Sequence, residues 1–181
     1  MKKIIIISFI ALSSIITNAQ TSSFDERTEV ITIDSVSKDI LYSTAQSWFA
    51  KNFNDSKNVL EITDKESGKL FGKGKVALGN LHGSLSFTIT IIVKENKYKY
   101  TFSDFTSTDV MMTNVYHTTP TNGIRYYDFG PFNQEKPNFQ GTLHSKKCWA
   151  KMQQQALIII DNLIQNLKDF MSKNSKSEND F

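Results

Sequence analysis

The sequence predicts an α+β fold in which an antiparallel sheet of about five strands carries two helices on one face. Apolar and polar side chains alternate from Leu85 to Phe102, with a break around Asn96, which is typical of a half-buried β-hairpin. Two other segments repeat apolar residues at spacings of three and four, as amphipathic helices do. A chain of 181 residues with 39% hydrophobic content is long enough for one domain with its own core, which we place at residues 20–172.

The N-terminus predicts an export signal that is removed. Lys2 and Lys3 precede an apolar run over residues 4–16, and small residues follow up to Ala19. This run of roughly 13 residues is shorter than the ~20 that a helix needs to cross a bilayer, which disfavours an uncleaved anchor. We therefore expect a signal peptide over residues 1–19, a periplasmic or extracellular product, and no stable membrane span after cleavage.

Charge and cysteine content say little about partners. The whole chain has 21 basic and 18 acidic residues, a formal net charge of +3. Loss of residues 1–19 removes two lysines, so 21 minus 2 leaves 19 basic residues against 18 acidic ones and a net charge of +1. The only cysteine is Cys148, so the domain has no internal disulfide and must be stabilised by packing.

A short edge strand from Val30 to Asp34 and a helix that begins after the N-cap Ser37 are the first predicted elements. The helix has a polar back and a stripe that is apolar except for its last member. This stripe consists of Ile40, Leu41, Ala45, Trp48, Phe49 and Asn52. We expect it to pack on the sheet.

The next two strands form a hairpin over residues 58–65 and 69–78. Parity of the inward-facing residues favours a three-residue loop that ends at Gly68 in the left-handed conformation, as in a turn with a G1 bulge. This loop pairs Ile62 with Gly72 and Leu60 with Gly74. The two strand glycines are expected to leave room where a helix approaches the sheet closely.

The central hairpin is predicted to turn through two residues, Glu95 and Asn96. This loop places Val93 opposite Tyr98, Ile91 opposite Tyr100 and Ile89 opposite Phe102. The uncovered face of the sheet would then show Lys73, Lys75, Lys94, Lys97 and Lys99 among Thr88, Thr90, Thr101 and Ser103, with Phe71 and Phe105. Such a face is either a basic platform for an anionic polymer or a solvated surface that keeps the sheet from self-pairing.

Residues 109–143 form a long connection that contains all three prolines and shows no sustained period of either kind. Connections of this length are uncommon in compact domains without a function. Its aromatic side chains stand among Asn, Thr and Gly, a composition typical of surfaces that bind sugars, peptides or partner proteins. The candidate ligand-binding residues are Tyr116, Tyr126, Tyr127, Phe129 and Phe132. The alternative is that these rings fold back and plug the end of the sheet.

The last predicted element is a long helix from about Ser145 to Met171, followed by a frayed polar tail over residues 173–181. Its apolar side chains recur at helical spacing and should cover the inner face of the sheet. They are Trp149, Met152, Ala156, Ile160, Leu163, Leu167 and Phe170.

This order of elements, β-α-β-β-β-β-α, resembles a family of uncharacterised exported bacterial domains with a TATA-box-binding-protein-like (TBP-like) fold. The opening from Val30 through Ser37, Lys38, Leu41, Tyr42 and Trp48 carries the resemblance, together with the segment DKESGKLFGKG at residues 64–74. The resemblance spans residues 28–107 and implies an antiparallel sheet with both helices on one face. It implies no activity and no DNA binding, because the fold label describes topology alone.

Three hypotheses for the function follow. The first is a non-enzymatic binding or assembly module of the cell envelope, which holds a protein, small-molecule or glycan ligand with the aromatic connection and uses no cofactor. The second is a small hydrolase-like enzyme with a site between residues 109–143 and the start of the last helix, near His117 or His144. The third is a purely structural envelope domain. No histidine lies at ligand spacing from another histidine or from Cys148, so we predict neither a metal site nor a catalytic residue.

Overall fold

The computed structural model describes residues 24–53, 59–79, 83–108, 110–113, 124–138 and 143–177. The elements, in chain order, are β1 (Arg27–Thr32), α1 (Lys38–Asn52), β2 (Leu60–Asp64), β3 (Lys69–Ala77), β4 (Ser84–Lys94), β5 (Lys97–Thr108), β6 (Val110–Thr113), β7 (Ile124–Tyr127), β8 (Gly130–Pro131) and α2 (Leu143–Ser177).

The predicted α+β architecture is confirmed. Five antiparallel strands lie in the order β1-β5-β4-β3-β2, and the short strand β8 pairs with β5 as a sixth member. Both helices pack on one face, which we call the inner face. The opposite face is called the open face.

The central hairpin has the predicted register. Val93 pairs with Tyr98, Ile91 with Tyr100 and Ile89 with Phe102. All six side chains are buried. The turn residue Asn96 has φ 60°, a left-handed conformation that asparagine tolerates better than most residues.

Helix α1 begins where predicted, because the Ser37 hydroxyl accepts a hydrogen bond from the Ile40 amide at 3.3 Å. Its end approaches the sheet closely. A Cβ atom at Gly72 would lie 3.2 Å from the Phe49 ring, and one at Gly74 would lie 3.2 Å from the Phe53 ring. Other groups would be closer still, namely the Val59 carbonyl oxygen at 2.5 Å from a Cβ atom at Gly72 and the Phe87 ring at 2.5 Å from one at Gly74, so the two glycines leave room for these groups as well as for the predicted helix.

Strand β1 begins and ends earlier than predicted, at Arg27 and Thr32 rather than at Val30 and Asp34. Beyond the strand, Ser35 adopts φ 64° and turns the chain toward α1. The buried Ile33 is still tied to the central turn by a 2.8 Å hydrogen bond from its amide to the Asn96 carbonyl.

The predicted register of the β2–β3 hairpin is wrong. Leu60 pairs with Gly72 and Ile62 with Phe71, so Ile62 points to the open face and is 46% exposed. A bulge between Leu60 and Ile62 shifts the parity of the strand. The loop has four residues, 65–68, because Asp64 Oδ1 accepts a 3.0 Å hydrogen bond from the Ser67 amide within the turn. Gly68 does take the predicted left-handed conformation, with φ 71°.

Phe105 was expected on the open face but lies in the core, where it is 3% exposed. The register of β4 and β5 shifts between Ser86 and Thr88, and Asp104 has φ 57°. The extra residue in β5 reverses the alternation, so Phe105 turns inward.

Helix α2 is longer than predicted at both ends, spanning Leu143–Ser177. Part of the expected polar tail is thus helical, and Ser175 is fully buried with its hydroxyl donating to the Met171 carbonyl. The predicted apolar stripe is buried at Trp149, Met152, Ala156, Ile160 and Leu167, whereas Leu163 and Phe170 are partly buried. The helices also meet through a 2.8 Å hydrogen bond from Trp48 Nε1 to Asn166 Oδ1.

The connection over residues 109–143 is more regular than predicted. Strands β6 and β7 form a separate antiparallel pair, and Thr106 and Ser107 of β5 pair with β8. Strands of two to four residues are too short to produce a recognisable period in the sequence.

Candidate functional site

Two of the predicted ligand-binding residues, Phe129 and Phe132, lie in the core, with exposures of 2% and 0%. The Phe132 ring stacks on Trp149 at 5.1 Å between centroids, and Gln153 Nε2 donates to the Phe132 carbonyl at 2.8 Å. The Phe24 ring also stacks on the Phe132 ring, with 5.1 Å between the two centroids. For these two phenylalanines the alternative holds, since their rings plug the end of the sheet and offer no surface to a ligand.

Two of the remaining predicted ligand residues, Tyr126 and Tyr127, lie in strand β7. Tyr126 pairs with Met111 and Tyr127 with Val110 across the two strands. Tyr116 lies outside the described residues, as do the histidines His82 and His117. His144 belongs to the first turn of α2.

A polar cluster joins α2 to strands β1 and β5. Glu29 Oε2 accepts hydrogen bonds from Tyr100 at 2.6 Å and from Lys168 Nζ at 2.5 Å, and Lys168 also lies 5.7 Å from the centre of the Tyr100 ring. A weaker ion pair joins Arg27 to Asp161 at 3.9 Å.

The electrostatics of this cluster favour a structural role. The hydrogen bonds from Lys168 and Tyr100 lower the pKa of Glu29. Burial, reinforced by the hydrogen bond to Glu29, raises the pKa of Tyr100. A tyrosine that holds its proton more tightly, beside a lysine and a glutamate that neutralise each other, is poorly suited to proton transfer near neutral pH. The cluster is better described as a clamp between α2 and the edge of the sheet.

Metal chemistry finds no support in the part of the chain that the structure describes. No group of three His, Cys, Asp or Glu side chains in these ranges could hold an ion. Cys148 is a partly buried free thiol.

The open face carries a row of lysines and hydroxyl side chains. The lysines predicted there, Lys73, Lys75, Lys94, Lys97 and Lys99, are all exposed. Between them lies a belt of hydroxyl groups that hydrogen-bond across strands, Thr28 with Thr101 at 3.1 Å and Thr88 with Ser103 at 2.7 Å.

Four lysines gather at one end of the open face, and we call them the lysine cluster: Lys69, Lys94, Lys97 and Lys99. Lys94 pairs directly with Lys97 across the β4–β5 ladder. Ile92 of β4 pairs with Lys99 of β5 on one side and with Lys69 of β3 on the other. Adjacent strands are about 4.8 Å apart, so these amines share one small area of the surface.

Lys69 lies opposite Asp64 across the β2–β3 ladder, whereas the charges of the other three lysines of the cluster are poorly balanced. Elsewhere on the face, Lys73 is neutralised by Glu61 at 3.0 Å. Within the described ranges, no ion pair involves Lys94, Lys97 or Lys99. Like charges directly opposite each other destabilise a sheet.

The sequence analysis placed Lys94, Lys97 and Lys99 on the open face but did not note that Lys94 and Lys97 lie directly opposite each other. The signal was present, because a two-residue loop that places Val93 opposite Tyr98 also places Lys94 opposite Lys97. The contribution of Lys69 was missed for a different reason, because its position beside Ile92 depends on the register of β3 and β4, which the sequence analysis did not predict.

An open groove of about 440 Å³ adjoins this face at the free end of β3. It shares Lys73 and Lys75 with the open face. The rest of its lining consists of Asn52, Phe53, Val59, Val76 and Ala77.

Residues 28–108 match the model of a domain of unknown function (DUF4468) with a TBP-like fold. This segment resembles the DUF4468 family. The match covers the β-α-β-β-β-β unit, which carries the lysine cluster, and ends where β5 ends. No curated protein matches the chain.

Two solved structures resemble this chain. A TBP-like protein from Parabacteroides distasonis aligns with a TM-score of 0.55 and 13% identity, covering 82% of this chain and 93% of the other. A DUF4468 family protein from Bacteroides ovatus aligns with a TM-score of 0.53 and 13% identity, covering 81% and 85%. At this identity the likeness concerns the fold alone, and it extends past Thr108 into the second half of the chain.

None of the described helices is long and apolar enough to cross a membrane.

Proposed function

We propose that this protein is an exported, non-enzymatic binding module that holds an acidic glycan of the cell envelope on its lysine cluster. The observation that carries the proposal is the direct opposition of Lys94 and Lys97. Such a pair lowers the stability of the folded chain. A polyanion laid across the cluster would relieve the repulsion on binding, so the cost to the free protein becomes affinity for the ligand.

The rest of the open face supports a glycan over other polyanions. Lysine amines pair with carboxylate, sulfate or phosphate groups without demanding a planar partner. The neighbouring hydroxyls of Thr88, Thr101 and Ser103 can exchange hydrogen bonds with sugar hydroxyls. Nucleic-acid platforms use exposed aromatic rings for stacking, and the burial of Phe105 leaves Phe71 as the open face's aromatic ring.

The aromatic connection supplies a second contact surface in this proposal, reduced to Tyr116, Tyr126 and Tyr127. Phe129 and Phe132 anchor the connection to the core and are withdrawn from the ligand set.

The test compares two triple variants of the mature chain that change the net charge equally. In the first, Lys94, Lys97 and Lys99 are replaced by glutamine. In the matched control, Lys151→Gln, Lys173→Gln and Lys176→Gln remove three exposed lysines from α2. Affinity for heparin and for polygalacturonate is measured by calorimetry at several salt concentrations, with dextran as a neutral polymer.

We expect the first variant to lose affinity on the order of tenfold, because each exposed ion pair contributes up to about 1 kcal/mol. The control should bind like the wild type, and salt should weaken the wild-type complex. Equal losses in both variants, or equal binding of dextran, would contradict the proposal. Binding to anionic phospholipid vesicles without binding to either acidic glycan would also contradict it.

Export is part of the proposal and has its own test. Expression of the full chain in a bacterial host, followed by mass spectrometry of the periplasmic fraction, should find a product that begins at Gln20. An uncleaved product in the membrane fraction would contradict it.

A further inference from the structure

Of the two sheet edges formed by the strands that the structure describes, the β2 edge carries more of the features that hinder pairing with another strand than the β1 edge does. At the β2 edge a bulge and the charged side chains of Glu61 and Asp64 interrupt the ladder. The β1 edge has six consecutive paired residues, RTEVIT, without a bulge, proline or lysine. Val30 in its middle is 58% exposed.

The backbone groups at the β1 edge can be assigned from the ladder. The Ile33 amide donates to the Asn96 carbonyl, in the same register that pairs Arg27 with Phe102. Since hydrogen-bonded residues alternate in an antiparallel ladder, the odd residues of β1 bond to β5. The N–H and C=O groups of Thr28, Val30 and Thr32 therefore point away from the sheet.

We propose that a second copy of this chain pairs with the β1 edge, antiparallel and with Val30 opposite Val30 of the second copy. In this register Thr28 faces Thr32 of the other copy, and all outward groups of both strands bond, giving about six backbone hydrogen bonds. If the two-fold axis that relates the copies passed through residue 29 instead of Val30, the two Glu29 side chains would lie opposite each other and their charges would repel. Moving the axis by one residue to either side also leaves fewer outward groups of Arg27–Thr32 opposite each other, so the Val30 register is favoured.

The paired copies share one continuous sheet. Val30 pairs with Lys99 within each chain, so the two lysine clusters lie on the same side of the joined open face. This arrangement would let one polymer contact both clusters. The inference does not depend on glycan binding, because it concerns only how the edge is satisfied.

Sedimentation velocity across micromolar concentrations tests the proposal. The wild-type mature chain should form dimers. Val30→Lys should weaken dimerisation at least about tenfold, since it places like charges directly opposite each other. The control is Ile62→Lys, the same kind of change at an exposed apolar residue of the β2 edge, and it should dimerise like the wild type.

Two cysteine variants test the register, each made together with Cys148→Ala. Val30→Cys should form an intermolecular disulfide, because Cα atoms of a hydrogen-bonded pair lie about 5.5 Å apart. Thr28→Cys should not, because the two Thr28 positions would be four residues apart along the strands, roughly 13 Å.

Salt separates this inference from the proposed function. The register brings Glu26 opposite Asp34 of the other copy, so added salt should strengthen dimerisation while it weakens glycan binding. A monomer at every concentration, an unchanged Val30→Lys variant, or equal cross-linking of both cysteine variants would overturn the inference.

Discussion

The two faces of the β4–β5 hairpin differ in how their cross-strand pairs affect stability. On the inner face Ile89, Ile91 and Phe102 are fully buried under two helices, in the register that apolar packing favours. On the open face of the same residue ladder, Lys94 stands against Lys97 and exposes charge to solvent. The inner face is optimised for stability and the open face is not. Neutral residues at these positions would avoid the repulsion. A surface that keeps a destabilising pair of charges is therefore a candidate for a function.

The largest expected effect concerns the inner face. A chain that ends before Ala156 lacks Ile160, Leu167 and Met171, all buried. It should lose its cooperative thermal transition, because the sheet would expose its inner face. A chain that ends at Ser177 is the control and should melt like the wild type. A sharp transition in the shorter chain would show that α2 is not essential to the core.

Phe132→Ala tests whether the aromatic connection belongs to the inner face. The ring is fully buried against Trp149, so its removal should lower the free energy of unfolding by about 3–5 kcal/mol. Phe71→Ala, on the open face, is the control and should cost much less. Urea denaturation measures both. If the two losses were similar and small, Phe132 would return to the list of ligand-binding candidates.

The clamp between α2 and β1 predicts a pH dependence. The folded chain holds the pKa of Glu29 below its ordinary value of 4.5, so the folded state binds fewer protons there than the unfolded state does. This contribution to stability is complete above about pH 4.5 and is lost as pH falls through the lowered pKa.

Glu29→Gln should therefore destabilise the protein near neutral pH, and the difference from the wild type should shrink in acid. Urea denaturation over a series of pH values measures it. Glu26→Gln, an exposed residue just before β1, is the control. A difference that stays constant with pH would remove Glu29 from the clamp.

The sequence predicts the inner face better than anything else. Alternation of side chains and the turn residue Asn96 determine the central register, and the Ser37 cap determines the start of α1. The bulges at Asp104 and between Leu60 and Ile62 reverse the facing of single residues, and no local pattern announces them. For this reason Phe105 and Ile62 were assigned to the wrong faces.

The candidate site was predictable only in part. Its lysines followed from alternation, but their importance depends on which lysines lack acidic neighbours across the strands, and that requires the full register. The aromatic residues of the connection have a composition that suits a binding surface and a core plug equally well. Only the stacking of Phe132 on Trp149 separates the two for that residue.

The smallest expected effect is also the most direct test of the central claim, that the open face sacrifices stability at the lysine cluster. The measurement is the free energy of unfolding of the series Lys97, Lys97→Gln and Lys97→Glu at low salt, with the same series at the exposed Lys173 of α2 as control. We predict that stability rises in that order at position 97 by roughly 0.2 to 1 kcal/mol in total, as repulsion from Lys94 is removed and then replaced by attraction. No gain is expected at position 173. A flat or falling series at position 97 would contradict the account.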